Sequence, residues 1–81
     1  MDDADILSRV RDLVDEEHEL RSRMRSGGLS EAEEQQRLQG IEESLDQCWD
    51  LLRQRRARRE YGENPDAAEA RSTDEVEHYL Q

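Results

Sequence analysis

Asp15 and His18 lie three residues apart on one segment of helical periodicity, and Glu42, Glu43 and Asp46 lie at a similar height on a second. This is the carboxylate and histidine spacing with which four-helix bundles hold pairs of metal ions. The ligands of such a site all point inward. The apolar pattern here instead turns Asp15 off the core face and sets His18 on its flank, in line with Leu7 and Val14. The spacing therefore predicts a partly buried histidine facing Gly40, where the missing side chain leaves room for the ring, and assigns no metal and no cofactor. A carboxylate–histidine metal protein centred on Asp15, His18 and Glu42 is the enzymatic alternative.

Glu17 occupies a seam position, where a carboxylate is costly unless paired. Arg21, one turn on, and Arg37, near the facing level, are the partners in reach, and the expected role is to fix the register of two helices. Cys48 faces Val10 with no histidine near its level, and reads as a small core residue rather than a nucleophile. Gly27-Gly28 closes a helix instead of opening one after a strand, so it is no phosphate loop, and one cysteine with two histidines is too few for structural zinc. No catalytic residue is assigned.

The sharpest binding candidate is Arg53, Arg55, Arg56, Arg58 and Arg59, a run joined directly to the only tryptophan, Trp49. Cations at a helix C-terminus suit the helix dipole. Antiparallel pairing would bring Asp2, Asp3 and Asp5 to their level, with the tail acids Asp74, Glu75 and Glu77 in reach. The expectation is a split, with some arginines balanced inside the chain and an exposed subset meeting an acidic protein surface. RNA or DNA phosphate is the competing partner. A net charge of −10 repels it at long range, and Tyr61 and Tyr79 form no base-stacking platform with the arginines.

The elements that must position these residues are helices. With 42% charged and 32% hydrophobic residues, the chain has to gather its apolar side chains on narrow faces. No run suits a membrane helix, the acidic start is unlike a signal peptide, and a lone cysteine fits a reducing compartment, so a soluble, cytoplasmic protein is expected. Ile6, Val10, Leu13, Leu20 and Met24 mark one helix over about 3–26, opened by Asp2, Asp3 and Asp5 and stopped by Gly27-Gly28. Ser30-Glu31-Ala32-Glu33 reads as a capping box that opens a second helix, over about 30–60, with the seam Leu38, Ile41, Leu45, Cys48 and Leu52. A short loop makes the two antiparallel, pairing residues whose numbers sum to about 58. Residues 62–71 read as a linker, and Ser72-Thr73-Asp74-Glu75 opens a short amphipathic helix at 72–81 carrying Val76, Tyr79 and Leu80.

The run from Leu45 to Arg59, with Glu16-Glu17-His18-Glu19-Leu20 upstream and Val76-Glu77 and Tyr79-Leu80 at the end, resembles a small actinobacterial family known as domain of unknown function 2630. The resemblance implies a single compact domain running to the C-terminus and carries no activity or partner with it.

The fold expected is all-α, an antiparallel, coiled-coil-like hairpin with a short C-terminal helix. Leu7, Val14, Trp49 and Leu51 flank the seam and widen its apolar stripe beyond what one partner helix covers. A homodimeric four-helix bundle is expected to bury them, with docking of the tail as the other solution. The function expected is non-enzymatic protein binding through this flank and the arginine-rich end. The alternative is a nucleic-acid or ribosome-associated factor using Arg53 to Arg59.

Overall fold

The computed structural model describes residues 2–27 and 30–80, without the side chains of Tyr79 and Leu80, and within it every regular element is helical. Helix α1 spans Asp3–Ser26. The Asp2 carboxylate accepts the Asp5 N–H at 2.9 Å, and the Asp5 carboxylate accepts the Asp2 N–H at 3.0 Å. This reciprocal cap satisfies two backbone donors that a helix start leaves free. At the other end Gly27 takes φ 75°, a left-handed turn open to glycine at no steric cost, and its N–H bonds the Met24 carbonyl at 3.3 Å. The Gly28 half of the expected stop lies outside the described residues.

Helix α2 spans Glu31–Glu60 and is capped by the Ser30 hydroxyl, which accepts the Glu33 N–H at 3.3 Å. The reciprocal Glu33 bond of the expected capping box is not formed, and the complete box sits at the start of α1 instead. Gly62, at φ 71°, reverses the chain after α2, so that Glu63 N–H reaches the Arg58 carbonyl at 2.7 Å. A single 3-10 turn follows at Pro65–Ala67. Helix α3, Thr73–Leu80, is capped by the Ser72 hydroxyl, which accepts the Glu75 N–H at 3.2 Å.

Low-numbered residues of α1 meet high-numbered residues of α2. Asp3 bonds Arg55 at 2.6 Å, a pair whose numbers sum to 58, and Arg21 approaches Glu42 at 3.9 Å. The hairpin is therefore antiparallel in the register the seams predict. Ile6, Val10, Leu13 and Leu20 of α1 are buried, while Leu38, Ile41, Leu45, Cys48 and Leu52 of α2 are half-buried.

Residues 62–71 form a strap on α2 rather than a loose tether. Gln54 donates to the Glu69 carbonyl at 3.0 Å and Gln47 to the Arg71 carbonyl at 2.6 Å, so the chain runs back toward the middle of α2. Asp50, buried at 4% exposure, accepts from Gln54 at 2.9 Å and lies 3.6 Å from the Arg71 guanidinium. Leu51 of α2 is buried too, and Val76 of α3 is only 1% exposed. α2 is thus packed on both edges, by α1 on one and by the strap and α3 on the other. The result is a plate of 50 × 25 × 14 Å, about one helix thick.

Candidate interaction surfaces

Each of the five clustered arginines lies within 4 Å of a carboxylate of its own chain. Arg55 is the hub. Only 5% exposed, it gives one N–H to Asp3 at 2.6 Å, another to Asp66 at 3.0 Å and a third contact to the Pro65 carbonyl at 3.2 Å, tying α1, α2 and the strap together. Arg59 bonds the second Asp3 oxygen at 2.8 Å. These bonds, first from Arg59 and then from Arg55, hold the Asp3 carboxyl below the usual aspartate range. Arg58 bonds Glu63 at 3.3 Å and Arg56 bonds Glu60 at 3.1 Å, and Arg53 lies 3.9 Å from Asp50. Arg53 and Arg56 keep most of their side chains in solvent.

Internal pairing thus takes place with partly different acids from those expected. Asp2 and Asp5 are spent on each other in the α1 cap, which leaves Asp3 alone for the arginines. The tail acids Asp74, Glu75 and Glu77 do not reach the run, because the strap carries α3 away to the middle of α2, and Glu63 and Asp66 take their place. The hub had a signal in the sequence. Leu45, Cys48, Leu52, Arg55 and Arg59 continue one 3-4-3-4 spacing, which places Arg55 and Arg59 on the seam rather than on the outer face.

The apolar flank divides. Leu51 is buried, whereas Leu7 at 43%, Val14 at 37% and Trp49 at 46% exposure stand open on one broad side of the plate.

Glu17 is held by Arg21 at 3.4 Å, the i+4 partner, with Glu42 on the far side of the same guanidinium. Cys48 carries a free, half-buried thiol, and burial pushes its pKa up, which keeps it protonated and inert. The expectation for His18 is corrected. It is exposed, and a Cβ on Gly40 would meet nothing within 4 Å, because the two residues look out on opposite sides of the hairpin. Asp15 is exposed as well, and among the described residues no group of three histidine, cysteine or carboxylate side chains converges as a metal site. An exposed glycine inside a helix costs about 1 kcal/mol relative to alanine, and packing within the chain does not require one at position 40.

One cluster escaped the sequence reading. Glu77 of α3 lies against Asp46 of α2, with Glu43 and Glu42 next to it, and one of its carboxyl oxygens is buried without a partner among the described residues. Its carboxyl is pushed up from the usual value of 4.5, first by its hydrogen bond with Asp46, then by burial and the neighbouring negative charges. A carboxyl raised in the folded state stabilises the fold below its ordinary pKa, and that contribution is lost as pH rises through the raised value. α3 is therefore expected to be held more tightly in mild acid than at neutral pH. Glu77→Gln, which keeps a donor for Asp46 and removes the charge, is expected to raise the Tm by a few degrees at pH 7.5 and to change it little at pH 4.5. Melting curves at the two pH values test this, and a lower Tm at pH 7.5 would refute it.

Fold and surfaces together define a class: a small single-layer helical protein whose clustered arginines are paired with acids of their own chain and whose open apolar flank lies on one face. The chain belongs to the family described as Protein of unknown function (DUF2630), whose profile matches residues 2–81. It is 57% identical over 77 residues to the uncharacterized proteins Mb0922c of Mycobacterium bovis and Rv0898c of Mycobacterium tuberculosis, covering 95% of this chain and 88% of each relative. No solved structure matches it. None of the helices among the described residues is long and apolar enough to cross a membrane.

Proposed function

We propose that the protein is a non-enzymatic interaction module that pairs with a second copy of itself through the face carrying Leu7, Val14 and Trp49. The observation that carries this reading is the exposure of these three large apolar side chains on a plate only 14 Å thick. A single layer has no second layer of its own to cover such a stripe, and four-helix bundles form when two hairpins cover each other. Arg53, one turn from Trp49, and Arg56, at the same end of α2, supply exposed cations at the rim of this face, fitted to acidic groups of the partner. Pairing of all five clustered arginines with acids of their own chain supports a protein partner over nucleic acid, since phosphate binding draws on several free cations at once. The lone free thiol supports a reducing, cytoplasmic compartment.

Sedimentation equilibrium between 1 and 100 μM tests the reading. A dimer is expected, and Trp49→Ser is expected to weaken it by about 10- to 100-fold, the equivalent of roughly 1.5–3 kcal/mol for an aromatic anchor. The variant should remain helical, because Trp49 contributes little to the core of one chain. A folded wild-type monomer at 100 μM would reject self-pairing.

A further inference from the structure

Glu42, Asp46, Trp49, Arg53 and Arg56 follow one another along α2 at steps of four, three, four and three, the spacing that keeps side chains in one stripe of a helix. In chain order the stripe is acid, acid, tryptophan, cation, cation. Asp46 is half-buried and the other four are exposed, so the stripe lies open on the side of the plate that carries Trp49. Glu42 and Arg56 stand seven residues to either side of Trp49, about 10.5 Å along the helix at ~1.5 Å per residue. A heptad returns a side chain to within about 20° of its starting direction, so these three point the same way.

Both halves of the stripe keep capacity for a second partner. Asp46, Glu43 and Glu42 crowd Glu77, and Arg21 comes no nearer to Glu42 than 3.9 Å while it bonds Glu17 at 3.4 Å. On the basic half, Arg53 stands 3.9 Å from Asp50, beyond hydrogen-bond length, and Arg56 spends one of a guanidinium's five donors on Glu60.

A two-fold axis at Trp49 turns this pattern onto its own complement. With the two α2 helices antiparallel, residues whose numbers sum to 98 face each other, so Glu42 meets the partner's Arg56 and Trp49 meets its own copy. Asp46 and the partner's Arg53 fall within one residue of the same register. Leu7, two residues from the level of Trp49 in the register of the hairpin, joins the apolar centre. A parallel pair would stack acid on acid and arginine on arginine. Laying α2 on the partner's α1 would bring Arg53 and Arg56 to the start of that helix, where Asp2 and Asp5 cap each other and Asp3 is held by Arg55 and Arg59. Opposite charges facing across an interface fix its register.

We propose, resting on the self-pairing reading, that two copies join with their α2 helices antiparallel about Trp49, Glu42 and Asp46 of each copy meeting the partner's Arg56 and the partner's Arg53. The test is sedimentation equilibrium of the whole protein at about 20 mM salt, where screening is weak, with circular dichroism to show that each variant is folded. Glu42→Arg and Arg56→Glu should each weaken the dimer at least about fivefold, since each turns two attractive contacts into repulsive ones. Glu42→Arg also makes the chain less negative, so general repulsion alone predicts the opposite sign. The double variant Glu42→Arg/Arg56→Glu should regain wild-type affinity to within about twofold. An equal mixture of the two single variants should form a heterodimer tighter than either homodimer, because both charge pairs are then restored. A wild-type monomer at 100 μM would overturn self-pairing and this arrangement with it. A wild-type dimer that Glu42→Arg leaves unchanged or tightens, that the double variant fails to restore, or whose single variants show no preference for each other would overturn the antiparallel arrangement alone.

Discussion

Leu13→Asp is expected to leave the chain largely unfolded at 25 °C. Leu13 is 2% exposed and sits mid-way along an α1 core whose other buried members are Ile6, Val10 and Leu20. Truncation to alanine at such a site costs about 2–5 kcal/mol, and a carboxylate adds the cost of a buried charge without a partner. A domain of this length has on the order of 4–12 kcal/mol to lose at ~0.05–0.15 per residue. Far-UV circular dichroism reads the result directly. Val14→Asp, one residue further along the same helix but exposed, is the control and should fold. A cooperative melt above 40 °C for Leu13→Asp would contradict the assignment of α1's inner face.

Arg55→Met should lower the Tm by on the order of 10 °C, whereas Arg56→Met should move it by no more than a degree or two. Both replace an arginine of the same run. Arg55 is buried and joins Asp3, Asp66 and the Pro65 carbonyl, while Arg56 is exposed and bonds Glu60 on its own helix. Arg55→Lys should rescue little, because a single ammonium cannot present the planar fork that reaches three acceptors in different directions. The pH dependence has a definite sign. Asp3 is held below its ordinary value of 3.8, so its contribution is present above that pH and is lost as pH falls through the lowered value. The gap between wild type and Arg55→Met should therefore narrow in strong acid. Equal melting temperatures for Arg55→Met and Arg56→Met would show that Arg55 is no hub.

The helices and their register were legible because they are written in local spacing and punctuation. Seam residues recur at three and four, and Asp2, Gly27, Ser30 and Gly62 stand where the chain must start or turn. The strap was not legible. Beside the ion pairs of Glu63, Asp66 and Arg71, its hold on α2 runs through its own carbonyls, at Pro65, Glu69 and Arg71, and every residue type offers a carbonyl, so composition gives no sign of that part. For the same reason the burial of Asp50 and the proton-sensitive contact of Glu77 with Asp46 were hidden: both depend on where the strap delivers Arg71 and α3. His18 was misplaced because Gly40 was read as a socket for a ring, when its open side faces the other broad surface. The two broad faces were only half visible. Exposed apolar side chains declare themselves by type, but a groove between α1 and α2 beside Gly40 is a shape, made by what the two helices leave unfilled.

Every tertiary contact among the helices passes through α2, since α1 packs on it and α3 packs on it but α1 and α3 do not touch among the described residues. Apart from the Arg55 hub, the protein is therefore built like a spine with two detachable wings. Each wing buries apolar side chains of its own, Ile6, Val10, Leu13 and Leu20 in α1 and Val76 in α3. Among the described residues, energy put into loosening one wing reaches the other by bending α2 or by releasing the Arg55 guanidinium. An event at α3, such as titration of Glu77, can thus proceed with the Leu7, Val14 and Trp49 face left standing, and that insulation follows from a layout with no third contact to close the triangle.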